Sequence, residues 1–458
     1  MNSSTSEYDD DSLRALRPSR SSAKRLRAIG AWRDGQHLSD LAHWRDTTPE
    51  AIAVYAHTAQ SGATTRLTYA QYATYVERFS GALYDLGVRP GRVVAVQLPN
   101  RWQTSALMLA VIRAGAILAP IATSLRPREL ERVLRRLRAT VCVTTDQWDG
   151  FEHSAVLAEM APRLPHLRKR VVLGKTVAED EIDFARHFEQ TPWDETHPMP
   201  LHDAQVDPDR VALALLTSGT TGEPKTALHT LNTHYAGYHP FSLSEGFGPR
   251  DRFFTPHPLT HGSGLLAELG LPLLTGGAAV LLDTWEPRAA LELLLESDTS
   301  MIAASPVSLS ALTAAARREA ASLPVLRAVM SFGMAITSQV VEDVANVFAL
   351  PLRNAWGMTE ASGTHTRDEG PVDWAVHSVG RPGPGTELDL RPVGQDSAAA
   401  RPARLFIRGG SVCLATMGRD SGELRIIADH DDGWYDTGDL AIPDGRGGIQ
   451  VVGRAAEL

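Results

Sequence analysis

One stretch constrains this chain more than any other. The apolar run Val211-Ala212-Leu213-Ala214-Leu215-Leu216 is followed at once by Thr217-Ser218-Gly219-Thr220-Thr221-Gly222-Glu223-Pro224-Lys225. The run reads as a buried strand. The loop after it supplies glycines that let the backbone approach an anion, and hydroxyl and N–H donors for phosphate oxygens. Lys225 adds a compact positive charge for the same oxygens. The stretch reads as a phosphate cradle for a nucleoside triphosphate. The Walker-type pattern G-x-x-x-x-G-K-[ST] nearly fits Gly219 to Thr226, but Pro224 stands where the second glycine belongs. Proline has no N–H to offer a phosphate. A plain Gly/Thr turn is the simpler alternative, and the unbroken run from Thr217 to Gly222 ending in Lys225 weighs against it.

At 458 residues the chain is long enough for several subdomains around substantial cores. A formal net charge of −9 argues against a dedicated nucleic-acid binder. Cys142 and Cys413 are far apart, which suits neither a disulfide framework nor a cysteine zinc site, and fits a reducing, cytoplasmic setting. No apolar run reaches the ~20 residues a membrane span needs; the best, Ala106 to Ala122, is interrupted by Arg113 and Pro120. The polar, acidic start is no secretory leader. Lys24, Lys169, Lys175 and Lys225 are the only lysines against a large excess of arginine, so a lysine closing the loop is less a matter of chance.

Residues 1–35 are poor in apolar side chains, with an acidic start and an arginine-rich stretch from Arg14 to Arg27, and read as a flexible tail. The pattern then predicts a helix that opens at Leu67-Thr68-Tyr69, runs through Leu86 and closes at Gly87, a strand Arg92–Leu98, a helix Trp102–Ala114, a strand Ile117–Ile121, a helix Pro127–Leu137 and a strand Thr140–Thr144. The rhythm returns after the loop with strands at Ala278–Leu282, Ser300–Ser305 and Ala328–Met330, and helices at Pro287–Leu295 and Ser308–Ala316. Such alternation indicates parallel βαβ layers. The fold class expected is α/β, with a first subdomain at 36–200, a second at 201–370 carrying the loop, and a small β subdomain at 371–452 with short strands such as Glu387–Leu390 and Arg404–Arg408. The proline-rich, charged stretch from Pro162 to Pro200 reads as a surface excursion.

The loop T-S-G-T-T-G-E-P-K resembles the signature of the adenylate-forming superfamily, which includes acyl-CoA synthetases, luciferases and peptide-synthetase adenylation domains. Further segments fit in family order. Asn354-Ala355-Trp356-Gly357-Met358-Thr359-Glu360 is similar to the family's Y-G-M-T-E segment, in which the aromatic lines the adenine site, the threonine reaches the α-phosphate and the glutamate holds Mg²⁺. Trp356 replaces the usual tyrosine. Tyr435-Asp436-Thr437-Gly438-Asp439 matches Y-x-T-G-D, whose last aspartate clasps the ribose hydroxyls. Gly453-Arg454 begins the G-R-x-x-E hinge, in which the arginine touches ribose or phosphate; Ala456 stands at the usual pivot. His257 to Gly262 resembles the segment lining the acyl pocket, which places His261 and Gly262 there. Ser331-Phe332-Gly333-Met334-Ala335 resembles the S-G-G-A-P stretch along the adenine and acyl groove.

The resemblance implies the large N-terminal domain of the adenylate-forming fold without its C-terminal cap, residues 453–458 being the start of the hinge. It implies catalytic roles for Lys225, Thr359 and Glu360, with Glu360 on the metal, and nucleotide contacts from Thr217, Ser218, Gly219, Thr220, Thr221, Gly222, Gly333, Met334, Asn354, Ala355, Trp356, Gly357, Met358, Asp439 and Arg454. His261, Gly262, Ser331 and Phe332 would line the substrate pocket. The implied partners are a carboxylic acid, ATP with Mg²⁺, and coenzyme A or an acyl carrier protein. His257 to Leu266 holds no acidic residue to pair with an amino acid's ammonium, which favours a hydrophobic acid, aliphatic or alicyclic. Three readings stay open: a carboxylate–CoA ligase, an adenylating enzyme with another acceptor, and a non-catalytic nucleotide- and acyl-binding protein.

Overall fold

A computed structural model describes residues 10–197, 207–217, 225–365, 374–393, 402–418 and 422–455. Helix Trp102–Arg113 decides its layering. Every residue from Thr104 to Arg113 is buried, and a helix with no solvent face must be covered on all sides. Helix Tyr69–Asp85 packs along it. One cluster joins both helices to Val94, Val96 and Leu118 of one sheet and to Val54, Ala279 and Leu281 of another. The two helices thus form the layer between two nine-stranded sheets.

In the first sheet, strands Leu352–Met358, Ala328–Phe332, Met301–Ala304, Arg252–Phe254, Ala278–Leu282 and Ile52–Thr58 run parallel to their neighbours, in that order. In the second, Val211–Leu216 lies parallel beside Ile117–Pro120 and antiparallel to Thr226–Thr230. Strands Val93–Gln97, Val141–Thr145 and Lys169–Leu173 continue it in parallel. A separate four-stranded antiparallel sheet is built from Thr386–Arg391, Ala403–Gly409, Tyr435–Pro443 and Ile449–Arg454. The class is therefore α/β with two layered sheets and a small β unit, as expected. No helix among the described residues is long and apolar enough to cross a membrane.

Three expectations need correcting. The partition near residue 200 does not follow the sheets. Ile52–Thr58 joins the sheet of the 252–382 strands, while Val211–Leu216, Thr226–Thr230, Ala415–Met417 and Leu424–Ile426 join the sheet of the early strands. Burial and register set these pairings, as where Leu213 meets Leu118, and chain order does not. From residue 10 onward the tail is anchored. Leu13 and Leu16 enter the core of the second sheet. Ala23, Leu26 and Trp32 pack on Ala236, and the Trp32 indole N–H donates to the Gly410 carbonyl at 2.9 Å. The few apolar residues sit at helical spacing among arginines, so average composition concealed them. The stretch from Pro162 carries strand Lys169–Leu173 and the fully buried Phe184 and Phe188, which stack on each other and meet Phe79 edge-on. Trp32→Ala should lower unfolding stability by about 3–5 kcal/mol, the cost of truncating a buried aromatic. A urea midpoint within error of wild type would show that the N-terminal segment is not part of the fold.

Candidate active site

The two sheets bring their strand ends to one cavity of about 620 Å³, in the position where open α/β sheets bind ligands. The second sheet contributes the end that carries Thr217 and Lys225. Strands Val211–Leu216 and Thr226–Thr230 pair up to Leu216 and Thr226, and the next pair closes the hairpin. Thr217 N–H donates to the Lys225 carbonyl at 3.0 Å, and Lys225 N–H donates to the Thr217 hydroxyl at 2.9 Å. Both residues line the cavity, and the lysine is exposed. Ser218, Gly219, Thr220, Thr221 and Gly222 lie outside the described residues, as do Ala456 and Glu457.

The first sheet contributes the opposing wall. Ala355, Trp356, Gly357, Met358, Thr359 and Glu360 all face the cavity. Glu360 is 7% exposed and held from two directions. The buried Tyr435 hydroxyl donates to its carboxylate at 2.9 Å, and Cys413 N–H donates to its carbonyl at 2.8 Å. Burial, with the Glu360 charge beside it, pushes the Tyr435 phenol up and keeps it a donor. His229 fixes the preceding residue. Its Nε2 lies 2.8 Å from the Thr359 carbonyl, which can only accept, so Nε2 carries the proton. Burial pushes His229 down to about 4, so it serves as a neutral donor near pH 7. The motif reading assigned no role to His229 or Tyr435. A lone histidine has no local signature, and only the fold shows which backbone it braces.

Trp356 departs from the family's tyrosine, and the departure has a structural use. Its indole N–H donates to Asp439 Oδ2 at 2.9 Å, and Arg454 Nε lies 2.9 Å from Asp439 Oδ1. Gly363 makes room for the indole, because a Cβ there would fall about 2.1 Å from the ring. Asp439 itself is 5% exposed and sits behind Trp356 and Arg454, which do line the cavity.

Of the expected contacts, Thr217, Lys225, His261, Gly262, Phe332, Gly333 and Arg454 also line the cavity. Ser331, Met334, Asn354 and Asp439 do not. Ser331 is fully buried in its strand, and Met334 is 59% exposed. The Asn354 amide donates to the carbonyls of Ala375 and Ser378, tying its strand to the segment that precedes the edge strand Arg381–Pro382. Motif adjacency says nothing about which side of a strand a residue faces, and Ser331, Asn354 and Asp439 show the consequence.

The apolar end is formed by Gly237, Phe241, Leu266, Ala267, Met301, Ala303, Met330 and Phe332, together with His234 and His365. At its entrance His257 and His261 share the Ser263 hydroxyl, at 2.8 and 2.7 Å, and the His257 ring meets Phe332 edge-on. Burial holds His257 down to about 4, so this ring stays uncharged near neutrality.

A family model described as AMP-binding enzyme matches residues 41–415. The chain belongs to the AMP-binding enzyme family. It is 28% identical over 449 residues to a 2-hydroxy-7-methoxy-5-methyl-1-naphthoate–CoA ligase of Streptomyces carzinostaticus, covering 95% of this chain and 78% of that protein. It is also 28% identical over 440 residues to a salicylyl-CoA synthase / salicylate adenylyltransferase of a Streptomyces species, with the same shares covered. Its fold is shared with apo MbtA of Mycobacterium smegmatis at TM-score 0.83 and 24% identity, over 97% of this chain and 80% of that one. An anthranilate CoA ligase in complex with anthranoyl-AMP matches at TM-score 0.81 and 20% identity, over 94% and 79%.

Burial raises the Asp439 carboxyl, and the Trp356 hydrogen bond followed by the Arg454 charge pulls it back down. Removing the indole N–H therefore raises it further. Trp356→Phe should move the acidic limb of nucleotide binding to higher pH, since the carboxylate protonates sooner, while a ring remains beside the cavity. An acidic limb that coincides with wild type would show that the indole N–H does not govern Asp439.

Proposed function

We propose that this AMP-binding enzyme activates an aromatic carboxylic acid as its acyl-adenylate and passes the acyl group to a thiol, coenzyme A being the acceptor. The observation that carries the reading is the two-ended cavity: Lys225, Thr359 and Glu360 at one end, and a pocket of Phe, Met, Ala and Gly side chains at the other. A carboxylate is a poor acyl donor until it is joined to a good leaving group. One carboxylate oxygen attacks the α-phosphorus of ATP, the bond from that phosphorus to the bridging oxygen breaks, and pyrophosphate leaves. The thiol sulfur then attacks the acyl carbon, the C–O bond to phosphate breaks, and AMP leaves. The substrate supplies its own nucleophile, so the protein's part is to place it in line and to meet charge with preorganised donors.

Mg²⁺ fits the donor set. It is usually bound by one or two carboxylates together with substrate phosphates, and Glu360 beside Thr359 offers such a carboxylate at the phosphate end. The cation would neutralise phosphate charge there. Lys225, Arg404, Arg425 and Arg454 line the same end with positive charge. Asp439, held by Trp356 and Arg454, is the candidate for the ribose hydroxyls, reached once Arg454 yields one oxygen.

Glu360 and Asp436 are the acidic residues among the described lining, and both lie by Tyr435, away from the acyl wall. Nothing there meets the ammonium of an amino acid. Phe241 and Phe332 with the sulfurs of Met301 and Met330 suit a flat ring, which moves the reading from an aliphatic or alicyclic acid to an aromatic one. The naphthoate, salicylate and anthranilate named for the relatives support the same choice.

Mass spectrometry of reactions holding ATP, Mg²⁺ and single acids, with and without coenzyme A, tests the proposal. Acyl-AMP from aromatic acids, consumed when coenzyme A is added, is the expected result; adenylates only from straight-chain acids, or none from any, would refute it. Glu360→Gln should reduce adenylation at saturating Mg²⁺ at least ~100-fold, the scale for losing a preorganised electrostatic group, with the melting temperature preserved. Unchanged turnover would remove Glu360 from the chemistry. Asp439→Ala should weaken binding of an adenylate analogue by ~1.5–3 kcal/mol; unaltered affinity would leave Asp439 a purely structural residue.

A further inference from the structure

One side chain of the second sheet's loops reaches across to the entrance of the acyl end. Residues 255–261 leave strand Arg252–Phe254 of the first sheet and bring His261 to the cavity, with Gly262 and Ser263 directly after it. Asn100 lies on the other side, between strand Val93–Gln97 of the second sheet and the buried helix Trp102–Arg113. It is 4% exposed, and its amide commits both ends to the loop. Oδ1 accepts from Leu259 N–H at 2.7 Å, and Nδ2 donates to the His257 carbonyl at 3.0 Å. The backbone partners decide the orientation of the amide, because an N–H can only donate and a carbonyl can only accept. Leu259 is itself fully buried, in the cluster that encloses helix Trp102–Arg113.

Both sides of this tie are stiff. On the Asn100 side, the Pro99 carbonyl accepts from Arg101 N–H at 2.8 Å and from the Thr104 hydroxyl at 2.6 Å, which fixes the turn to the first turn of the buried helix. On the loop side, Thr255 N–H donates to the buried Glu268 carboxyl at 3.2 Å, and Glu268 stands next to Ala267 of the acyl wall. His257 N–H donates to the Thr255 hydroxyl at 3.2 Å. Gly264 lies so close to the loop that a Cβ there would come 2.1 Å from the Pro258 carbonyl oxygen. These local contacts give the loop its shape. The Asn100 pair acts between the sheets, and ties that shape to the sheet that carries Thr217 and Lys225.

We propose that Asn100 is a positioning residue for the acyl entrance, its amide holding the loop so that His261, Gly262 and Ser263 face the carboxylic acid. The inference rests on the adenylation reading above. Asn100 does not line the cavity, so it acts through the loop. Its effect falls on the acid, whose entrance moves with the loop. Lys225, Thr359 and Glu360 stand elsewhere in the chain and keep their own supports. Displacing a positioning group by ~1 Å can cost ~100-fold in rate, and removing the amide leaves the buried Leu259 N–H without its acceptor.

The test measures KM for the acid in acyl-AMP formation, with whichever of benzoate, salicylate and anthranilate wild type adenylates fastest, and the dissociation constant of AMP by calorimetry. Asn100→Leu keeps the volume and removes both bonds; it should raise KM for the acid about ten-fold or more while AMP affinity stays within about two-fold of wild type. Asn100→Asp keeps an acceptor for Leu259 N–H and loses the donor, and should raise KM by about three-fold or more. An acid KM within about two-fold of wild type in both variants, or acid and AMP weakened alike, would overturn the assignment. If Asn100→Leu fails to fold, Asn100→Asp decides by the same two comparisons. Unaltered KM overturns the Asn100 assignment alone, whereas no adenylate from any acid overturns the adenylation reading and the assignment with it.

Discussion

The structure depends on the burial of helix Trp102–Arg113. With no face left for water, it must be enclosed by helix Tyr69–Asp85 and by the two large sheets, and that enclosure fixes how the sheets stand to one another. Each fully buried leucine in such a layer contributes roughly 1.5–3 kcal/mol relative to exposure. Leu107 and Leu109 on this helix and Leu83 on its neighbour are wholly buried. The cavity follows from this arrangement. One sheet ends in the hairpin that carries Thr217 and Lys225, the other in the wall from Ala355 to Glu360, and neither makes the site alone.

The site joins two unlike environments. At the end that carries Lys225 and Glu360, buried carboxylates are held in place: Glu360 by the neutral Tyr435 phenol, and Asp439 by the Trp356 indole and the Arg454 guanidinium. The phenol fixes the direction of Glu360 without cancelling its charge, which leaves that carboxylate able to meet a cation. At the apolar end His234 and His257 are kept neutral by burial, and the wall is chiefly sulfur, ring and methyl. An acyl-adenylate has the same division, a charged nucleotide joined to an acyl group through one carbonyl.

Much of this was legible in the sequence. Unbroken apolar runs such as Val211–Leu216 and Ala278–Leu282 became buried strands within a residue of their expected ends, because a strand covered on both faces needs no alternation. The order of motifs located Lys225, Trp356, Thr359 and Glu360 on the cavity. Sheet membership was not legible, since pairing Leu213 with Leu118 is a contact between segments far apart in the chain. Nor was the anchoring of Trp32 on Gly410, for the same reason. Within motifs, the facing of single residues was lost: Asn354 turned to Ala375 and Met334 to the surface. His229 and His234 lacked any local signal, and their positions emerge only when helix Leu231–Glu245 is laid along the cavity.

The central claim is that a single cavity holds both halves of an acyl-adenylate at once. Isothermal titration with a non-hydrolysable aroyl-sulfamoyl adenosine, alongside AMP and the free aromatic acid, tests it most directly. Joining two ligands that fit simultaneously should give an affinity at least about 100-fold above that of the stronger half. A conjugate that binds no more tightly than AMP would mean that the acyl group finds no place beside the nucleotide, and the two-ended account of the cavity would be wrong.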